Sequence, residues 1–187
     1  MTINFKKITS LAIFASALLI TSCGSSQENA GNINKIEAKG CVLKVHGNCA
    51  HKDLSSLDLS GLDLTGMNFT GANLSDADFT GSVIQKGNFT SANLTRAILD
   101  KVSGNSANFS KADFTEASIF ESDFKNADFS GSLGSGMMID NSKFAGANFT
   151  YSTITFFDLQ SSFFCDAILM DGFAAETDKC NFLKGNK

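Results

Sequence analysis

Five cysteines and two histidines hold the most reactive chemistry in this 187-residue chain. Their spacing sorts them into three groups. Cys23 stands alone at the end of an apolar run, Cys41, His46, Cys49 and His51 crowd into eleven residues, and Cys165 and Cys180 lie near the C-terminus. With Cys23 set aside, the thiols form one pair at each end of a long middle section, the arithmetic of a disulfide framework. Three pairings are possible, and the local one joins Cys41 to Cys49 and Cys165 to Cys180. The first bond would close GCVLKVHGNC as a hairpin-like cap with Val42, Leu43 and Val45 available as cover. The second would pin the tail AAETDKCNF. Each would add about 2–4 kcal/mol by restricting the unfolded chain. The alternative is a metal site: Cys41, His46, Cys49 and His51 are the soft donors that zinc takes, although C-x4-H-x2-C-x-H is not a familiar zinc spacing.

No catalytic constellation joins these residues. There is no nucleophile elbow, no glycine-rich phosphate loop, and no histidine outside the N-terminal pair to act as a base. Aspartates abound, but they alternate with asparagine at one recurring position. Asparagine is neither acid nor base, so that position needs a short polar side chain. The expectation is a non-enzyme with no cofactor. Fifteen basic against nineteen acidic side chains give a net charge of −4, without the basic footprint of a nucleic-acid binder. A hydrophobic share of 43% is too high for a disordered chain, and the length suits one domain.

The N-terminus reads as an address. MTINFKK carries two lysines and no acid, and residues 8–20 (ITSLAIFASALLI) are uncharged, the length of a secretory h-region and short for a membrane span. Ile20-Thr21-Ser22-Cys23 resembles the bacterial lipobox. That resemblance implies cleavage before Cys23, lipidation of its sulfur and a stable membrane anchor. Gly24, rather than Asp, after the cysteine resembles the outer-membrane sorting signal of enteric bacteria. The implied protein is exported and lipid-anchored to the membrane, in the outer membrane facing the periplasm or the cell surface. Residues 1–22 are then a signal peptide, and residues 23–39, polar and without periodicity, a flexible tether. Residues 40–51 form an N-terminal cap.

From Asp53 the chain reads DLSSL DLSGL DLTGM NFTGA NLSDA DFTGS. A large apolar residue recurs every fifth position from Leu54 to Leu169, giving 24 pentapeptides without insertion, and 22 of the 24 centres are apolar. The residue two before the centre is Ala, Ser or Gly in 17 of them, and the one before is Asp or Asn in 14. Neither a helical nor a strand period fits; the period is five. The motifs ANLSD, ADFTG, ANLTR, ADFTE, ADFSG and ANFTY resemble the pentapeptide-repeat family, and the resemblance covers residues 52–171. It implies an all-β fold, a right-handed quadrilateral parallel β-helix of about six coils with short terminal caps, the C-terminal one over residues 172–187. A four-sided coil demands a superperiod of twenty, and the sequence has one: Phe69, Phe89, Phe109, Phe129 and Phe149 would stack on one face. At about 4.8 Å per coil, six coils make a rod roughly 29 Å long.

Departures from the pattern carry further expectations. Leu57, Leu62 and Met67 replace the small corner residues of the first coil and would plug an open end. Gly104 and Gly134 remove core side chains, which Val102 and Met137 would replace by volume. Phe156, Phe157, Phe163 and Phe164 overload the sixth coil, and Phe163, Met138 and Phe120 fall at outward positions. The C-terminal coils therefore offer either a self-association surface or a surface for a terminal cap to cover.

The reading that follows is a lipid-anchored, non-catalytic scaffold of the cell envelope, structural or protein-binding, with the membrane and a protein as partners and no nucleic acid. Two alternatives remain. One is a metal-binding envelope protein through the Cys/His cap. The other rests on similarity to quinolone-resistance pentapeptide proteins, DNA mimics that modulate gyrase or topoisomerase. Residues 52–171 carry 15 acidic and 7 basic side chains, which suits a mimic, but the export signal separates the chain from a cytoplasmic target.

Overall fold

A five-residue repeat brings five backbone N–H groups, and each needs an acceptor if the centre is to be buried. The structure, a computed structural model, describes residues 36–154, 161–169 and 171–172 and shows where each donor goes. In the repeat centred on Phe69, the Phe69 N–H donates to Asn88 O of the following coil at 2.7 Å and the Gly71 N–H to Thr90 O at 2.9 Å. Asn68 N–H donates back to Gly47 O at 2.9 Å, and Ala72 N–H closes the turn onto Phe69 O at 2.9 Å. The fifth donor, Thr70 N–H, has no backbone carbonyl to meet. It takes Asn68 Oδ1 at 3.0 Å, and the Thr70 hydroxyl donates to the same oxygen at 2.6 Å. Aspartate and asparagine both carry that oxygen, which is why they interchange and why Ser or Thr follows the centre.

This bonding repeats at intervals of twenty residues and builds a parallel β-helix with four sides to each coil. On one face Asn48, Asn68, Asn88, Asn108, Asp128, Asn148 and Ile168 pair in succession. The second face runs from Asp53 to Leu133, the third starts at Asp58, and the fourth runs from Asp63 to Phe163. No residue in these described coils is helical. Between faces the backbone turns with φ near +60° at the second residue after the centre, including Lys111, Glu116 and Tyr151 at 59°. That region strains any side chain with a Cβ, so the turns are held by the coil rather than by local preference.

The centres fill the interior. Phe69, Phe89, Phe109, Phe129 and Phe149 are buried, with successive ring centroids 4.9, 4.8, 5.1 and 5.0 Å apart. Rings from the other faces meet this column edge-on, as Phe124 does Phe129 with an interplanar angle of 78°. The gap at Gly134 is filled by Met137 as expected, with Ile154 beside it, and the gap at Gly104 is filled from the next coil. Gly104 is occupied by the ring of Phe124 from the next coil, into which a Cβ would run, and Val102 is buried in the same core. At Gly134, Ile154 Cγ1 and Met137 Sδ lie 2.5 and 2.7 Å from where a Cβ would sit.

The N-terminal end is closed by a hairpin. Strand β1 (Ile36–Ala38) pairs antiparallel with β2 (Cys41–Leu43), with Ala38 opposite Cys41. The intervening Lys39 and Gly40 have φ of 45° and 78°, the pattern of a two-residue type I′ loop. The last residues of the segment expected as tether are thus strand and turn, because Gly40 permits the tight reversal. Lys39 Nζ donates to Ser55 O at 2.7 Å, fixing the turn over the first coil. Coil pairing already includes Asn48, so Cys49 is a fully buried centre five residues before Leu54. Met67 is fully buried, while Leu57 and Leu62 pack half-buried against the core.

One edge of the solenoid departs from the five-donor scheme. There β3 (Ser118–Phe120) and β4 (Met138–Asp140) pair parallel, Ile119 opposite Ile139. At the corner that follows, Ser122 Oγ inserts into the turn of the coil before it, accepting from Val102 N–H at 2.9 Å and donating to Leu99 O at 2.7 Å. Ser142 Oγ repeats the arrangement, accepting from Ser122 N–H at 3.0 Å with Ile119 O 3.2 Å away. Ser162 Oγ continues the ladder onto Ser142 N–H at 3.1 Å.

Candidate functional site

The chemistry-bearing residues gather at the capped end. Cys41 and Cys49 are joined by a disulfide with their Cα atoms 5.2 Å apart, and both are buried. That bond ties the hairpin to the top of the phenylalanine column, since Cys49 precedes Phe69 by one coil. The histidines sit apart from it. His46 and His51 are exposed, and their imidazoles lie against Gly66 and Gly71, each one coil onward. A Cβ at Gly71 would come within 2.6 Å of His51 Nδ1, so glycine at the twentieth residue makes room for each ring. The four residues considered as zinc donors are therefore not brought together, and no His/Cys/Asp/Glu group suited to a metal ion occurs among the described residues. Cys165 is also disulfide-bonded. Its expected partner Cys180 lies outside the described residues, as do Cys23, the signal segment, Phe156 and Phe157.

The acidic side chains are used locally. The Ser55 hydroxyl, and then its backbone N–H, hold the Asp53 carboxyl below the usual carboxylate range, and Ser60 does the same for Asp58. Asp76 is lowered chiefly by the Arg96 fork, whose Nε and Nη2 donate to its two oxygens at 2.7 and 2.8 Å. Arg96 is correspondingly raised, with Glu116 one coil on adding to the field. These groups serve the turns and the coil-to-coil columns. Nothing in their geometry resembles an acid–base pair around a reacting atom.

Outward apolar residues are spread over all four faces. Met138 is 56% exposed and shares its face with Ile98 and the half-buried Phe120. Leu133, half-buried Phe163 and Ile168 occupy the other three. Sequence reasoning missed the serine ladder and the histidine–glycine packing. Both were present as twenty-residue spacings, Ser122-Ser142-Ser162 and His46-Gly66 with His51-Gly71. No helix among the described residues is long and apolar enough to cross a membrane.

Comparison with known proteins finds the same repeat. The signature of pentapeptide repeats matches in eight copies, over residues 53–85, 88–126 and 105–133. The chain belongs to the pentapeptide-repeat family. No curated protein matches this pentapeptide-repeat protein by sequence. Among solved structures, it is similar to a pentapeptide repeat protein of the Arabidopsis thaliana thylakoid lumen, with 26% identity, 69% of this chain and 88% of that chain covered, and a TM-score of 0.47. It is similar to HetL, a pentapeptide repeat protein involved in heterocyst differentiation regulation in the cyanobacterium Nostoc, with 22% identity, coverage of 70% and 77%, and a TM-score of 0.44. It also matches full-length QnrB1, a plasmid-mediated fluoroquinolone resistance protein, at 17% identity, coverage of 66% and 86%, and a TM-score of 0.30.

Proposed function

We propose that this pentapeptide-repeat protein is a lipid-anchored, non-catalytic scaffold of the cell envelope, exported and held in the outer membrane by Cys23. The observation that carries the reading is the N-terminal sequence: Lys6 and Lys7, an uncharged run over residues 8–20, then Ile20-Thr21-Ser22-Cys23-Gly24. The Cys41–Cys49 disulfide supports it, because such bonds persist in oxidising compartments. The use of acidic groups in turns and columns supports a non-catalytic role. The outward surface then serves to contact another protein or a second copy through the C-terminal coils.

Intact-mass analysis of the membrane-extracted protein, with and without reductant and alkylation, tests the reading. The expected mass lacks residues 1–22, carries acyl chains on Cys23, and gains four alkyl groups only after reduction. An unprocessed chain that alkylates without reductant would overturn it.

A further inference from the structure

Charge is distributed unevenly along the solenoid. Residues 36–52 carry three lysines, Lys39, Lys44 and Lys52, against one glutamate, whereas residues 53–171 carry six basic against fifteen acidic side chains. The fold converts this sequence asymmetry into a spatial one. Lys39 sits in the hairpin turn laid over the first coil, with its Nζ on Ser55 O, and Gly40 of the same turn lies beside Lys52 Nζ. Lys44, Val45 and His46 are exposed on the segment leading from β2 into the first coil, with Val45 at 40% exposure. Glu37 lies in β1 of the same hairpin, and Asp53 on the first coil is engaged by Ser55, by Asn73 Nδ2 at 3.0 Å and by the charge of Lys39. The hairpin end is thus a cationic tip on an anionic solenoid.

We infer that this tip docks on anionic lipid headgroups, so that the solenoid stands on the membrane by its hairpin end. The inference rests on the lipid-anchor reading and deepens it. Twelve residues, 24–35, separate Cys23 from β1. Twelve residues reach at most about 40 Å even fully extended, so an acylated Cys23 would keep the tip within reach of the surface. Attraction to headgroup phosphates acts within a Debye length of about 8 Å, and each lysine there strengthens association roughly fivefold. The acidic coils are repelled by the same surface. Attraction at one end and repelling sides orient the solenoid end-on without any new contact in the coils.

Lysine footprinting on the full acylated protein, reconstituted into vesicles, reads this directly. Amine acetylation of Lys44 and Lys52 is compared with that of the exposed coil lysines Lys111, Lys125 and Lys143 by mass spectrometry. In vesicles containing a third phosphatidylglycerol, the expected result is at least fivefold slower modification of Lys44 and Lys52 than in pure phosphatidylcholine, with the coil lysines unchanged. High salt should abolish the difference. In Lys44→Glu, the lipid-dependent protection of Lys52 should also disappear, and the salt titration on the native chain gives an answer should that variant fail to fold. Equal modification of the tip in both vesicles, on chains whose mass shows an acylated Cys23, overturns the docking while leaving the anchor in place. A mass without acyl chains overturns the anchor, and the docking with it.

Discussion

Serines at the inward corner position separate two kinds of buried hydroxyl. Ser82 is fully buried, its backbone N–H closes an ordinary turn onto Phe79 O at 2.9 Å, and its hydroxyl has no hydrogen-bond partner. Ser122 is equally enclosed, but its hydroxyl links Val102 N–H to Leu99 O. An orphaned buried hydroxyl costs stability, whereas removing a bridging one leaves a backbone donor and an acceptor unsatisfied. Ser82→Ala should therefore stabilise the protein by about 1 kcal/mol and Ser122→Ala destabilise it by about 2 kcal/mol, read as opposite shifts of the urea midpoint at constant slope. Shifts of the same sign would show that the ladder is not what holds this corner. The repeat pattern treats Ser and Ala as equivalent small residues at this position, and only the hydrogen bonds separate them.

At the scale of elements, the coil and the cap were unequally legible. An apolar centre recurs in 22 of 24 repeats and an Asp/Asn able to supply Oδ1 to the residue two ahead in 14, so every face of the coil was readable from Leu54 onward. The hairpin occurs once, and its turn uses Lys39, which announces no loop, so β1 looked like tether. The disulfide pairing was legible only as one of three possibilities, and the placement of His46 and His51 could be seen only by comparing each with the residue twenty ahead. Gly104 was visible as a gap, but periodicity does not say which neighbour leans into it. The cap's energetic role follows from its position: Cys49 begins the buried column, and the bond holds the hairpin across it. Replacing the bond by Cys41→Ala with Cys49→Val keeps the column filled while releasing an eight-residue loop. The expected loss is about 2–3 kcal/mol. It should appear first as faster hydrogen exchange at Leu54 and Ser56, whose amides bond the next coil at 2.7 and 2.8 Å. Unchanged exchange there, with a lowered global midpoint, would show that the bond acts only on the unfolded chain.

On the scale of the whole solenoid, each coil touches only the coils before and after it, and stability becomes a chain of neighbour terms. Phe109 is the test position, because its ring lies 4.8 Å from Phe89, 5.1 Å from Phe129, 5.3 Å from Phe114 and 5.6 Å from Phe124. Phe149 stacks on Phe129 and meets Phe144 edge-on, 5.0 and 5.6 Å away, near the C-terminal end of the described coils. Truncating either to alanine removes about 3–5 kcal/mol of local packing. In a globular core both losses would lower one cooperative transition by similar amounts. In a solenoid, Phe109→Ala breaks the coupling between two halves, whereas Phe149→Ala loosens one end and leaves the rest coupled. Phe109→Ala should broaden the denaturant transition and lower its slope as the halves unfold separately. Phe149→Ala should keep native protection at Phe69, Phe89 and Leu94 while amides from Phe144 onward exchange faster. Uniform loss of protection across all coils in both variants would contradict neighbour coupling. The column would then act as a single unit, and the cap at one end would control the stability of coils it never touches.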